Sequence, residues 1–114
     1  MSSQNVIKVK NIEQVVRILA ERIRRQYKPS RVILFGSHAQ GNPGKDSDLD
    51  ILVVGKTRLS LDRTYQLQNE FFREFSIPVQ IIWMSNEEFL ETKDIIGGIA
   101  YPASKYGRIV YAES

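Results

Sequence analysis

The chain has 114 residues, of which 42% are hydrophobic and 25% charged, and it contains no cysteine. That is one domain of ordinary soluble composition, which excludes disordered and fibrous classes, disulfides and thiolate metal sites. The formal net charge of +3 hides an asymmetry, because residues 1–31 carry eight Lys/Arg against Glu13 and Glu21, a net +6, while the remainder is net −3.

No apolar run approaches the length that crosses a bilayer, and Met1-Ser2-Ser3-Gln4-Asn5 lacks the charged and apolar regions of a secretory signal. A cytoplasmic location with no membrane contact is therefore expected. The basic front steers a nucleotide, an RNA or an acidic protein towards the chain. No aromatic residue interleaves Arg17 to Arg25, so a single-strand stacking groove lacks support and direct nucleic-acid binding is not expected.

In chain order, Asn11 reads as an N-cap with Gln14 three places on, followed by Ile12, Val15, Val16, Leu19 and Ile23 at helical spacing. This predicts an amphipathic helix of about four turns that ends near Tyr27, since Pro29 disfavours helical geometry in the residue before it. Arg31 to Phe35 is a short apolar run, read as a central strand. Asp48 to Val54 is the second strand, and Ser60 to Phe75 the second helix, with Ser60 as cap and Leu61, Tyr65, Leu67, Phe71, Phe72 and Phe75 on or near one side. Pro78 opens a third strand, Val79 to Met84. Ser85-Asn86-Glu87-Glu88 is a capping box, with Phe89, Leu90, Ile95 and Ile96 as the apolar face behind it. Gly97-Gly98 breaks that segment, Ile99 to Tyr106 forms a last helical turn, and Arg108 to Tyr111 is a final strand. Trp83, Tyr101, Tyr106 and Tyr111 read as packing residues, or as a protein interface wherever they are exposed.

The chemistry concentrates in Gly36 to Asp50, between the first two strands. Gly36 lets the backbone turn sharply and approach a ligand, and Ser37 caps a short helical turn, His38 to Gln40, whose free amides favour phosphate. Asp48 and Asp50 are two apart, so on a strand their carboxylates leave one face and repel each other unless a cation lies between them. Alone, Asp-x-Asp reads first as a turn pair satisfied by backbone amides. Beside a phosphate-compatible turn, the pair suits Mg²⁺, which takes a couple of carboxylates, waters and substrate phosphates. His38 is read as solvent-facing and is left out of the site.

Gly36-Ser37, ten intervening residues and Asp48-Leu49-Asp50 resemble the GSx10DxD signature of the nucleotidyltransferase superfamily that includes polymerase beta and kanamycin nucleotidyltransferase. The short layout is similar to that of the minimal nucleotidyltransferases (MNT), which serve as antitoxins beside HEPN-domain toxins. The resemblance implies an α/β (α+β) polymerase-beta-like fold over residues 1–114, a small mixed sheet of three to four strands flanked by helices. It implies a nucleotide, ATP, held through Gly36 and Ser37, and Mg²⁺ on Asp48 and Asp50, which also carry catalysis. The reaction is transfer of AMP or another NMP to a protein hydroxyl, with a HEPN toxin as partner in a homodimer or hetero-oligomer.

Two departures qualify this. Gln40 stands where many relatives have arginine, leaving His38, Lys45 or an arginine of the basic helix to compensate. Gln80 stands where relatives carry a third carboxylate, so the second of two Mg²⁺ sites is weakened and no base is supplied there. Glu70 and Glu74 have no geometric claim to replace it. The competing reading is therefore a weak or inactive nucleotide-binding antitoxin that neutralises its partner by contact.

Overall fold

The computed structural model describes residues 11–44 and 47–113. The first helix, α1 (Ile12–Tyr27), starts where the Asn11 side chain accepts a hydrogen bond from the Gln14 N–H at 2.9 Å. It ends at Lys28, which turns left-handed at φ 49° just before Pro29. α2 (Leu61–Phe75) and α3 (Asn86–Thr92) begin the same way, with Ser60 and Ser85 hydroxyls accepting from the Arg63 and Glu88 amides. Each cap satisfies one N–H that the helix itself leaves unpaired. A fourth helix, α4 (Ala100–Tyr106), lacks such a cap and closes at Gly107.

Four strands, β1 (Arg31–Phe35), β2 (Leu49–Val54), β3 (Val79–Met84) and β4 (Arg108–Ala112), form one mixed sheet in the order β3-β2-β1-β4. β1 runs antiparallel to both β2 and β4, while β3 is parallel to β2. The parallel pair needs a crossover, which α2 supplies. Asp48 lies just before β2 rather than within it.

Alternation along the strands divides the core between the two faces. Val32, Leu34, Leu49, Ile51, Val53, Ile81 and Trp83 pack beneath α1 and α2 through Val15, Leu19, Ile23, Phe71 and Phe75. Trp83 is pinned there by its indole N–H, which donates to the Thr64 hydroxyl at 2.9 Å, and by an edge-on contact with Tyr27. On the opposite face Ile33, Leu52, Val54 and Met84 lie beneath Phe89 of α3 and Ala100 and Ala103 of α4. The row formed by Phe35, Asp50 and Gln80 ends this second face, where Phe35 and Asp50 are half-buried and Gln80 is exposed.

Several apolar residues depart from the expected core. Ile95 and Ile96 are 59% and 80% exposed, because α3 stops at Thr92 and both isoleucines follow it in a turn. Leu61, Tyr65 and Phe72 are also exposed, so α2 buries chiefly Thr64, Phe71 and Phe75. Tyr106 is exposed and Trp83 buried.

Candidate active site

The site is built at the matching ends of β1 and β2. Cross-strand register sets Phe35 opposite Asp50, which brings Gly36, the next residue, beside the Asp50 carboxylate. A Cβ placed on Gly36 would lie 2.2 Å from Asp50 Oδ2, and Gly36 has φ +77°. Glycine is thus required twice, once for the left-handed backbone and once for the close approach. The two halves of the motif are in contact.

Beyond Gly36 the chain forms the expected short helical turn, which does not extend into a regular helix. The Gly36 carbonyl accepts from the amides of Ala39 and Gln40 at 3.1 and 3.2 Å, and the Ser37 carbonyl accepts from Asn42 at 3.1 Å. Among the described residues the amides of Ser37 and His38 have no protein partner, leaving two donors at the mouth of the turn for an anion. The cap role expected of Ser37 belongs instead to the Gly36 carbonyl.

His38 is half-buried, not solvent-facing, and its Nε2 lies 3.2 Å from the Ser47 carbonyl oxygen. With the ring N–H on Nε2, His38 donates to that carbonyl and ties the turn to the residue before Asp48. Ser47 in turn accepts from the Gly44 amide at 2.7 Å through its hydroxyl. Sequence spacing carries no signal for this tie, since His38 and Ser47 are joined only when the loop folds back. Lys45 lies outside the described residues.

Asp50 and Asp48 sense one another. Burial pushes the Asp50 carboxyl above its ordinary range, the negative Asp48 pushes it further, and His38 pulls it partly back. Asp48 is exposed, and among the described residues neither carboxylate has a hydrogen-bond or salt-bridge partner. Two adjoining carboxylates left unpaired beside free amides fit a hard divalent cation that brings waters and phosphates as its other ligands. No group of three or more His, Cys, Asp or Glu residues converges among the described residues, so a complete protein cage is not built here.

Gln80 stands directly across from Asp50 in the parallel β2–β3 register, on the same face of the sheet. A carboxylate in this position would lie beside the pair, whereas Gln80 offers a neutral amide. Neither Glu70 nor Glu74 adds a carboxylate there, since α2 lies on the opposite face. Glu74 is held by Arg22 in a two-bond ion pair at 2.6 Å. On α1, Arg22 is engaged by Glu74, and Arg24 and Arg25 pair with Glu21.

An anion-ready turn pressed against a carboxylate pair, carried on the ends of neighbouring antiparallel strands, defines a nucleotidyltransferase-type domain. The chain belongs to the nucleotidyltransferase domain family, whose model matches residues 16–100. It is 30% identical over 102 residues to a candidate protein adenylyltransferase of Methanocaldococcus jannaschii, covering 90% of this chain and 96% of that protein. Among solved structures it is similar to a toxin–antitoxin bound to AMP-PNP (TM-score 0.66, 18% identity, 87% of this chain and 73% of the other). It also matches the complex of a tri-AMPylated Shewanella oneidensis HEPN toxin with its MNT antitoxin (TM-score 0.56, 14% identity, 90% and 74%). A mutant MntA–HpeT toxin–antitoxin gives TM-score 0.60 at 19% identity, covering 92% and 75%. These structures share the fold. Among the described residues, no helix is long and apolar enough to cross a membrane.

Proposed function

We propose that the protein transfers a nucleoside monophosphate, AMP from ATP, to a hydroxyl of a HEPN-type partner, as the antitoxin of a toxin–antitoxin pair. The observation that carries this reading is the Asp50 carboxylate seated against Gly36, with Asp48 alongside and two free amides at the turn. The names of the archaeal relative and of the structural neighbours support it. In the reaction the acceptor oxygen bonds to the α-phosphorus, the bond from that phosphorus to the bridging oxygen breaks, pyrophosphate leaves and the hydroxyl proton passes to water or base. Asp48 and Asp50 would hold Mg²⁺, which when bound would neutralise phosphate charge; the Ser37 and His38 amides would orient the phosphates.

A second reading rests on Gln80. With an amide opposite Asp50, nucleotide binding outlasts chemistry, and the protein silences its partner by contact. Incubation with α-labelled ATP, Mg²⁺ and a co-expressed HEPN partner separates the two. Label on the partner that disappears with Asp48→Asn establishes transfer, whereas a tight complex without label establishes the contact antitoxin.

A further inference from the structure

We infer that the outer edge of β3 is the acceptor groove, where an extended segment of the protein acceptor adds as one parallel rung and delivers its hydroxyl past Gln80. The inference rests on the transferase reading above.

In-line displacement places the attacking oxygen opposite the leaving pyrophosphate. The phosphate turn follows β1, the carboxylate pair lies at the start of β2, and among the described residues the sheet beyond β2 holds only β3. The attacking hydroxyl therefore arrives from the β3 side. There a cavity of about 430 Å³ runs along the strand, lined by Leu61, Tyr65, Gln80, Ile82 and their neighbours. Gln80 belongs both to this groove and to the row containing Asp50.

The backbone specifies the occupant. Pro78 and Met84 direct their carbonyls to β2, accepting from Leu49 and Gly55 at 2.9 Å, so Val79, Ile81 and Trp83 turn theirs to the outer edge. Two of those outward groups are taken by side chains. Gln68 Oε1 accepts from the Ile81 amide at 2.8 Å, and Arg58 reaches the Trp83 carbonyl at 3.4 Å. Between them the Ile81 carbonyl and the Trp83 amide have no partner among the described residues. An acceptor and a donor flanking Ile82 are what one residue of a parallel strand satisfies, donating to the first and accepting from the second.

Side chains supply the rest. Leu61 and Tyr65, 71% and 56% exposed on α2, form an apolar wall for alternate residues of the incoming strand. Arg58 is engaged by Glu88 at 2.7 Å, so among the described residues the groove has no free cation for a nucleic-acid backbone. An extended peptide fits it.

The test offers a nonapeptide library centred on Tyr, Ser or Thr, with α-labelled ATP and Mg²⁺, to the wild type, Leu61→Asp and Tyr65→Asp. Both substitutions are of exposed residues outside the carboxylate site, and circular dichroism confirms folding. Expected are labelled peptides with apolar side chains at alternate positions and a KM for peptide at least tenfold higher in each variant. Binding of a fluorescent ATP analogue should be unchanged. N-methylation of a single amide of a selected peptide should abolish labelling, while methylating its neighbour should not. Labelling indifferent to both variants and to N-methylation overturns the groove and leaves transfer intact. With the analogue bound, no labelled peptide while the HEPN partner is labelled overturns the groove alone, and no label on either removes the transfer reading as well.

Discussion

Replacing Gly36 by alanine tests how the two halves of the site depend on one another, and Gly41 provides the control. Both glycines are left-handed, at φ +77° and +80°, so each alanine carries the same backbone strain, roughly 1–2 kcal/mol. They differ in surroundings. Nothing lies within 4 Å of a Cβ on Gly41, whereas one on Gly36 would sit 2.2 Å from Asp50 Oδ2. Relief of that clash moves the carboxylate by about 1 Å, and a displacement of that size costs about a hundredfold in a positioned reaction. Gly41→Ala should therefore lose about 1–2 kcal/mol in denaturant unfolding while binding a fluorescent ATP analogue with Mg²⁺ as the wild type does. Gly36→Ala should lose at least as much stability and, in addition, reduce transfer by about two orders of magnitude. Equal binding and equal transfer in the two variants would refute the claim that Gly36 is reserved for Asp50.

Asp50 also predicts a pH dependence. Its pKa is raised in the fold, so its contribution to stability is fully present below the unfolded-state value and is lost as pH rises through the folded-state value. Asp50→Asn should accordingly match the wild type near pH 3 and exceed it at pH 7, with the advantage shrinking when Mg²⁺ is added. A difference that stays flat with pH in denaturant titrations sinks this. Gln80→Asp restores a carboxylate opposite Asp50 and should raise both Mg²⁺ affinity and transfer rate; a folded variant with no gain shows that position 80 is not the missing ligand. His38→Ala removes the tie to Ser47 and should cost about 1 kcal/mol and weaken Mg²⁺-dependent nucleotide binding, with His38→Gln, which keeps an N–H donor, recovering part of the loss. Unchanged binding in His38→Ala would mean the loop holds Asp48 unaided.

Local chemistry made much of the fold readable. Asn11, Ser60 and Ser85 announce three helices because a cap is a contact between residues three apart, and β1 and β3 have the bounds their apolar runs suggest. Gly36, Ser37, Asp48 and Asp50 stand out by residue type and spacing, and their convergence at the end of the β1–β2 pair follows from a register that no single stretch encodes. The same gap explains the misread features. Ile95 and Ile96 look like part of an apolar face until the helix is seen to stop at Thr92. Three arginines of α1 look available to the phosphates until Glu74 and Glu21 are seen to engage them. His38 reads as solvent-facing in the sequence because its partner, Ser47, lies across a loop.

The strands that carry the site are the two central ones, each with a neighbour on both sides and a buried interior. Fidelity of the site is therefore inherited from the core. Leu34 and Ile51, fully buried partners one rung from Phe35 and Asp50, touch no ligand, yet a truncation such as Leu34→Ala, costing about 2–5 kcal/mol, loosens the very rungs that hold the carboxylate to the turn. Substitutions along this hairpin will lose stability and activity together.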